Sequence, residues 1–273
     1  MKFEIKKKSE NEVKFKVSGI DVSLANGIRR TILTEVPILA IDEVVFFDND
    51  SPTPDEVLAH TLGMIPLKTP SGKYGLPEEC MEGKSSKPCR VILTLDMKAG
   101  DTPLLVSSEA LVSDDPEVAP VSNKIPITYL PPNGKLRLEA YAMIGRGKEH
   151  AKWQPVSTIS YKYQPVIKIN TYSCSKDCIK CVEACSQGVL TKKDGIIVVN
   201  PDECSFCDLC KDVCPKEPPA IEVSHLEDTF IFRLEPTGAL PPSEIMSQCL
   251  KILKGRLFLF GRVFNEALEK SGR

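Results

Sequence analysis

The apolar positions at the start of the chain follow two periods. Phe3 and Ile5, then Val13, Phe15 and Val17, alternate with charged residues, which predicts two short strands sharing one apolar face. Leu24, Ile28, Ile32 and Val36 then recur every four residues. That spacing predicts a helix over SLANGIRRTILTEVP, with Ser23 as N-cap and Pro37 as its stop. ILAIDEVVFFDND reads as a strand closing on an acidic turn. From residue 48 to about 165, Pro, Gly and β-like runs such as RVILTLDM, KLRLEAYAMIG and TISYKYQP predict a mainly β region. Within it, SSEALVSDDPEVAPVSNKIPITYLPPNG has little helical period and reads as loop.

The far end of the chain carries a second helical pattern. In PPSEIMSQCLKILKGRLFLFGRVFNEALEK, Ser243 is the expected N-cap. Met246, Cys249, Leu253, Leu257, Phe260, Phe264 and Ala267 advance by three or four residues, and Ile245, Leu250, Ile252, Phe258, Val263 and Leu268 widen the stripe. Such a helix is about 40 Å long at 1.5 Å per residue. Gly255 and Gly261 each cost it ~1 kcal/mol relative to Ala, so packing must stabilise it. Two readings stand at this stage: a helix lying against a partner, or a core helix of its own domain. Cys249, on the apolar face, reads as buried filler.

Composition narrows the class. The chain has 273 residues, enough for two or three domains, with 42% hydrophobic and 26% charged residues. No apolar run approaches the ~18 residues of a membrane span, and the N-terminus has no apolar core of a signal peptide, so the expected compartment is the cytoplasm. Net charge is −2 and no segment carries a basic excess. Direct nucleic-acid binding is therefore not expected. Lys6, Lys7 and Lys8 form the only basic run, read as a solvated strand end before a phosphate contact.

The cysteines carry the chemistry. Cys204, Cys207, Cys210 and Cys214, followed by Pro215, match the bacterial ferredoxin run C-x2-C-x2-C-x3-C-P. In that pattern the fourth cysteine serves the other cluster. Cys204, Cys207 and Cys210 should then join Cys185 round one 4Fe–4S cluster, and Cys174, Cys178 and Cys181 should join Cys214 round a second. The first run departs from the pattern: it is C-x3-C-x2-C-x3-C, with Ser186 in place of the proline. Its extra residue loosens the loop that must aim three thiolates at one cube. A zinc ion, or a disulfide within the first group, remains open as an alternative. Cys80 and Cys89 close the stretch CMEGKSSKPC at either end, and two thiolates alone cannot complete a tetrahedral metal site. The strands PVIKIN and DTFIFRLEP bracket the cysteines, so the segment reads as an insertion into a sheet connection. Its two halves echo each other, each a cysteine run followed by a short strand, GIIVVN and AIEVSH.

Catalytic patterns are missing. DNDSPTPDE groups Asp48, Asp50, Asp55 and Glu56, but its Pro and Asn content reads as a polar turn rather than a divalent-metal site. His60, His150 and His225 are isolated, and neither a phosphate loop nor a dinucleotide fingerprint occurs.

SLANGIRRTILTEVPILAIDEVVF followed by DEVLAHTLGMIPLK, and later GKEHAKWQPVSTISYKYQP and EPTGALPPSEI, resemble blocks of the RNA polymerase assembly subunits. This is the family of the archaeal D-type subunits, the third-largest eukaryotic polymerase II subunit and, more distantly, the bacterial alpha subunit. The resemblance implies an α+β fold: an alpha-subunit-like dimerisation domain (1–45 and 226–273), a mainly β insert domain (46–168) and a two-cluster ferredoxin-like insert (169–225). It implies a non-catalytic scaffold that pairs with subunit L, with Ile245, Cys249, Ile252, Leu253, Leu257, Phe260 and Phe264 on the partner face. It also implies that Arg29 and Arg30 face the second-largest subunit; the plainer reading makes them helix-surface charges. Eukaryotic members have a zinc loop near the Cys80–Cys89 region, of which only two cysteines are present here. The cysteines taken alone leave a different function open, an electron-transfer ferredoxin-type protein with a docking domain.

Overall fold

The structure is a computed structural model that describes residues 1–9, 11–174, 177–193 and 195–271. Its first nine elements are β1 (Lys2–Lys8), β2 (Val13–Ser18), α1 (Val22–Glu35), β3 (Ile38–Asn49), α2 (Asp55–Gly63), α3 (Pro77–Met81), β4 (Val91–Lys98), β5 (Leu104–Ser107) and β6 (Val112–Ser113). Then come β7 (Pro126–Leu130), β8 (Lys135–Gly145), β9 (Val156–Ile169), α4 (Lys180–Ala184), β10 (Leu190–Lys192), β11 (Ile196–Val198), α5 (Leu209–Asp212), β12 (Ile221–Pro236) and α6 (Pro242–Ser271). The class is α+β. No helix among the described residues is long and apolar enough to cross a membrane.

The chain divides into two compact units. One comprises Met1–Lys8, Lys14–Asn26 and Ser160–Arg233; the other comprises Ser9–Val13, Gly27–Ile159 and Leu234–Arg273. This division cuts across the three segments expected from the sequence. The cysteine segment and the strands on either side of it fall in one unit, because β9 and β12 are neighbours in a sheet of order β1-β2-β12-β9.

That sheet corrects two readings. TISYKYQP and PVIKIN form one strand, β9, which runs through Pro165. A proline cannot donate to a ladder, and β9 tolerates it because it is an edge strand. AIEVSH and DTFIFRLEP are likewise one strand, β12. The opposite edge is β1, where Lys6, Lys7 and Lys8 discourage edge-to-edge pairing. Phe3 stacks on Phe15 at 5.0 Å, and Phe15 on Phe232 at 5.0 Å. Phe15 and Val17 are buried as the alternation predicts, while Phe3 and Ile5 stay largely exposed on the edge.

The second unit is built on the antiparallel sheet β3-β8-β4-β6. Alternate residues of β8, from Leu136 through Leu138, Ala140 and Ala142 to Ile144, are buried against β4, β3 and the helix α2. DEVLAHTLG, unassigned in the sequence reading, is that helix, and its Leu58 and Leu62 are fully buried. The acidic stretch before it is a turn. Asn49 Nδ2 donates to Asp55 Oδ1 at 2.6 Å, and Asn49 Oδ1 accepts from Ser51 N at 3.1 Å. On α1 the N-cap is Asp21, not Ser23: Asp21 Oδ1 accepts from Leu24 N at 2.7 Å. Ala25, Ile28 and Ile32 are buried, and Leu24 is exposed.

Cys80 and Cys89 are joined in a disulfide, a pairing the sequence reading does not anticipate. Their Cα atoms lie 5.8 Å apart, within the span a disulfide bridges.

The turn between Gly145 and Trp153 holds two close approaches. Trp153 lies on Gly145, and a Cβ on Gly147 would collide with the backbone oxygen of Leu33. Gly147→Ala is therefore expected to cost ~1–3 kcal/mol by overpacking, read as a lowered midpoint in chemical denaturation with unchanged slope. In the same unit, buried Asp115 accepts from Lys73 Nζ at 2.8 Å and from Tyr74 Oη at 2.5 Å. The Lys73 ammonium, and then Tyr74, hold its carboxyl down at about 2. A depressed carboxyl stabilises the fold above its unfolded value near ~4, and that contribution is lost as pH falls towards 2. Asp115→Asn should lower the melting temperature at neutral pH, with the difference from wild type vanishing between pH 4 and 2.

Candidate functional site

The helix α6 is two helices in chemical terms. Its first turns belong to the chain's own core: Ile245 and Cys249 are 0% exposed. Cys249 Sγ donates to Ile28 O at 3.7 Å, and burial pushes its thiol up to about 12. Glu244 accepts from Ser71 Oγ at 2.8 Å and from Gln248 Nε2 at 3.0 Å. The helix begins at Pro242, so Ser243 lies in its first turn and is not the cap. The main-chain bonds at the start run from Glu244 N and Ile245 N to Pro241 O.

Further along, the same stripe turns progressively to solvent. Ile252 and Leu253 are half-buried, while Leu257, Phe258 and Phe260 are 73%, 76% and 71% exposed. Phe264 and Leu268 are exposed too, and Phe260 and Phe264 stack on each other at 6.2 Å. Two of the residues expected on a partner face, Ile245 and Cys249, are thus corrected to the chain's interior. Their period matches the rest of the stripe, but α1 and its surroundings fill the space over them. Arg256 Nη2 ties this part of α6 to Glu35, at the end of α1, at 2.7 Å. On α1 itself Arg29 is half-buried and Arg30 exposed.

The cysteine segment forms a small core of its own. Cys181, Leu190, Ile196 and Ile221 are buried together, with Ile167, Ile169, Val182 and Val198 packed around them. Two separate cavities border it. Cys174, Cys178, Cys181 and Cys214 line one, beside Pro215 and Ala220. Cys185, Cys204, Cys207 and Cys210 line the other, beside Leu190 and Leu209. These are the two sets the ferredoxin run pairs, including both crossed fourth members. Residues 175 and 176, which widen the first spacing, lie outside the described residues; Cys178 still lines the same cavity as Cys174. Among the described residues no three His, Cys, Asp or Glu side chains are placed to hold a single metal ion. The thiols of each set border a cavity and do not meet at a point.

Local geometry explains the gathering. Phe206 and Asp208 both adopt φ of 58°, so the Cys204–Cys210 loop coils through two left-handed positions. Burial pushes the Cys181 thiol up, and Cys174, Cys178 and Cys214 add to it. Burial does the same to Cys210, with Cys204 and Cys207 adding. Cys214 Sγ accepts from Ala220 N at 3.3 Å.

Residues 14–257 match the RNA polymerase Rpb3/Rpb11 dimerisation domain. The chain belongs to this family. Among curated proteins it is similar to the DNA-directed RNA polymerase subunit Rpo3 of Methanosphaera stadtmanae, 40% identical over 93% of this chain and 94% of that one. The protein of the same name from Pyrococcus furiosus is 40% identical over 92% of each chain, and that from Aeropyrum pernix 31% over 95% and 92%.

Three residues of this Rpb3/Rpb11-family chain escape the sequence reading. Glu35, which also lies 3.7 Å from Lys148, carries no signal beyond its charge. Asp202 and Lys162, which act near Cys204, sit in different segments, and only the folded sheet brings them together. On α6 the two halves should respond differently to substitution. Ile245→Ala is expected to cost ~2–5 kcal/mol, as a large-to-small change in a filled core. Phe260→Asp should change the stability of the isolated chain by less than ~0.5 kcal/mol, both read by urea denaturation.

Proposed function

We propose that this chain is a non-catalytic assembly subunit of a DNA-directed RNA polymerase. Its α6 lies against a small L-type subunit, and the resulting heterodimer is the platform on which the large catalytic subunits assemble. Arg29 and Arg30 on α1 face the second-largest subunit. The observation that carries this reading is the apolar face of α6 from Leu257 to Leu268, left open in a chain of a dimerisation-domain family. Burying one such side chain contributes ~1.5–3 kcal/mol, so Leu257, Phe258, Phe260, Phe264 and Leu268 together supply on the order of 10 kcal/mol gross, comparable with the ~4–15 kcal/mol cost of association. A helix with Gly255 and Gly261 in open surroundings is completed by such a partner.

The same chain holds two 4Fe–4S clusters in its cysteine segment, one on Cys204, Cys207, Cys210 and Cys185, the other on Cys174, Cys178, Cys181 and Cys214. Support comes from the donor set: two groups of four thiols, each round its own apolar cavity, without histidine. A single zinc ion would use only four of the eight thiolates and leave the other set idle. When bound, each cluster would cross-link four thiolates and add folding free energy to a small core whose buried members among the described residues are Cys181, Leu190, Ile196 and Ile221. Their role in this reading is structural and sensitive to oxygen.

Co-expression with an L-type subunit, followed by oxygen-free purification and assay of iron and acid-labile sulfide, tests both parts. The expected result is a one-to-one heterodimer with about eight irons per chain, which Phe260→Asp splits without loss of iron. A chain that stays alone, or that captures flavoproteins from native extract instead of polymerase subunits, overturns the assembly role. About four irons would remove the Cys174 set, and zinc in place of iron would remove both clusters.

A further inference from the structure

We infer that Lys162 sets the reduction potential of the cluster on Cys204, Cys207, Cys210 and Cys185, keeping it apart from that of its neighbour; this rests on the cluster reading above. Lys162 lies on β9 and is half-buried, and its Nζ donates to the backbone oxygen of Cys204 at 2.8 Å across 42 positions of sequence. Burial holds its ammonium below the usual lysine range, and Glu203 and Asp202 act against that. Both carboxylates are taken by other side chains. Glu203 Oε1 pairs with Lys14 at 3.2 Å, and Asp202 with Lys6 at 3.2 Å and with Gln164 Nε2 at 2.7 Å. Lys162 is thereby left to bind the main chain of a ligand residue. The sheet holds the turn before Cys204 by these contacts, and Lys162 delivers its charge at the ligand itself.

A fixed positive charge beside a cluster favours the state with one more electron, and a half-buried charge is screened less than an exposed one. The first cavity also has a lysine on its wall, Lys180, but that side chain is exposed. Water and salt weaken its field. Asp208 on the wall of the second cavity is paired with Lys211 at 3.0 Å, so Lys162 is the half-buried charge that distinguishes the two sites, and the Cys204 set is the more easily reduced. Lys162 is a positioning and tuning residue, acting through the carbonyl of a ligand residue.

The test uses the full chain with its co-expressed partner, purified without oxygen, as wild type, Lys162→Gln and Lys162→Arg. Iron and sulfide are counted first; then each cluster is titrated with dithionite and read by electron paramagnetic resonance. The expected result is unchanged iron in all three and, in Lys162→Gln, one midpoint lowered while the other stays. That shift is about tenfold in the one-electron equilibrium, or ~59 mV, and Lys162→Arg keeps the wild-type value. Two unchanged midpoints in Lys162→Gln, or two that move together, overturn the inference. So does a Lys162→Gln protein with half the iron, since the side chain would then only hold the ligand loop. Wild-type protein without iron would sink the cluster reading itself, and the metal count registers that before any potential is measured.

Discussion

The adjacency of β9 and β12 governs what the cysteine segment can be. Residue 170 follows β9 and residue 220 precedes β12, and Asn170 N donates to Ala220 O at 2.8 Å. Ser224 Oγ reaches Val166 O at 3.3 Å, so numbers rising along one strand meet numbers falling along the other, as in an antiparallel pair. The segment between them thus leaves and returns at one place. Cys174 and Cys214, near the two ends, consequently line the same cavity. The meeting of cysteines from both runs at that cavity follows from a loop whose ends the sheet has brought together.

The helix α6 is the other half of the molecule's logic, and it obeys a different constraint. A 3.6-residue period records that one side of a helix avoids water, with no record of what covers that side. Cys249 and Phe260 are equivalent in the pattern, yet one is sealed by its own chain and the other is bare. The change falls near Lys254 and Gly255, beyond which the stripe is left largely exposed by the described residues.

The legible parts of the sequence are those where chemistry is local. The three close cysteines of the C-x2-C-x2-C-x3-C-P run can be read because a tight loop fixes which thiols stand together, while the crossed fourth member is legible only through the pattern as a whole. Alternation in β8 and the long period of α6 can be read because one face of each meets a uniform environment. What escapes reading depends on contacts distant in the chain. β9 looks like two strands because Pro165 is a breaker except at an edge, and edges are a property of the assembled sheet. The short α2 is hidden in a Pro-rich stretch, and Asp21 outranks Ser23 as a cap through a choice of position that pattern alone does not make. The link from Lys162 to Cys204 joins two residues that have no pattern in common.

The bond between Asn170 and Ala220 has a further consequence, for what the cysteine segment is to the sheet. Two antiparallel strands whose ends already meet can be joined by a turn of a few residues. The register of β9 and β12 is thus set by bonds of their own and does not depend on the length of the connection between them. To the sheet the cysteine segment is one long connection, anchored where Ile167, Ile169 and Ile221 of the two strands enter its core.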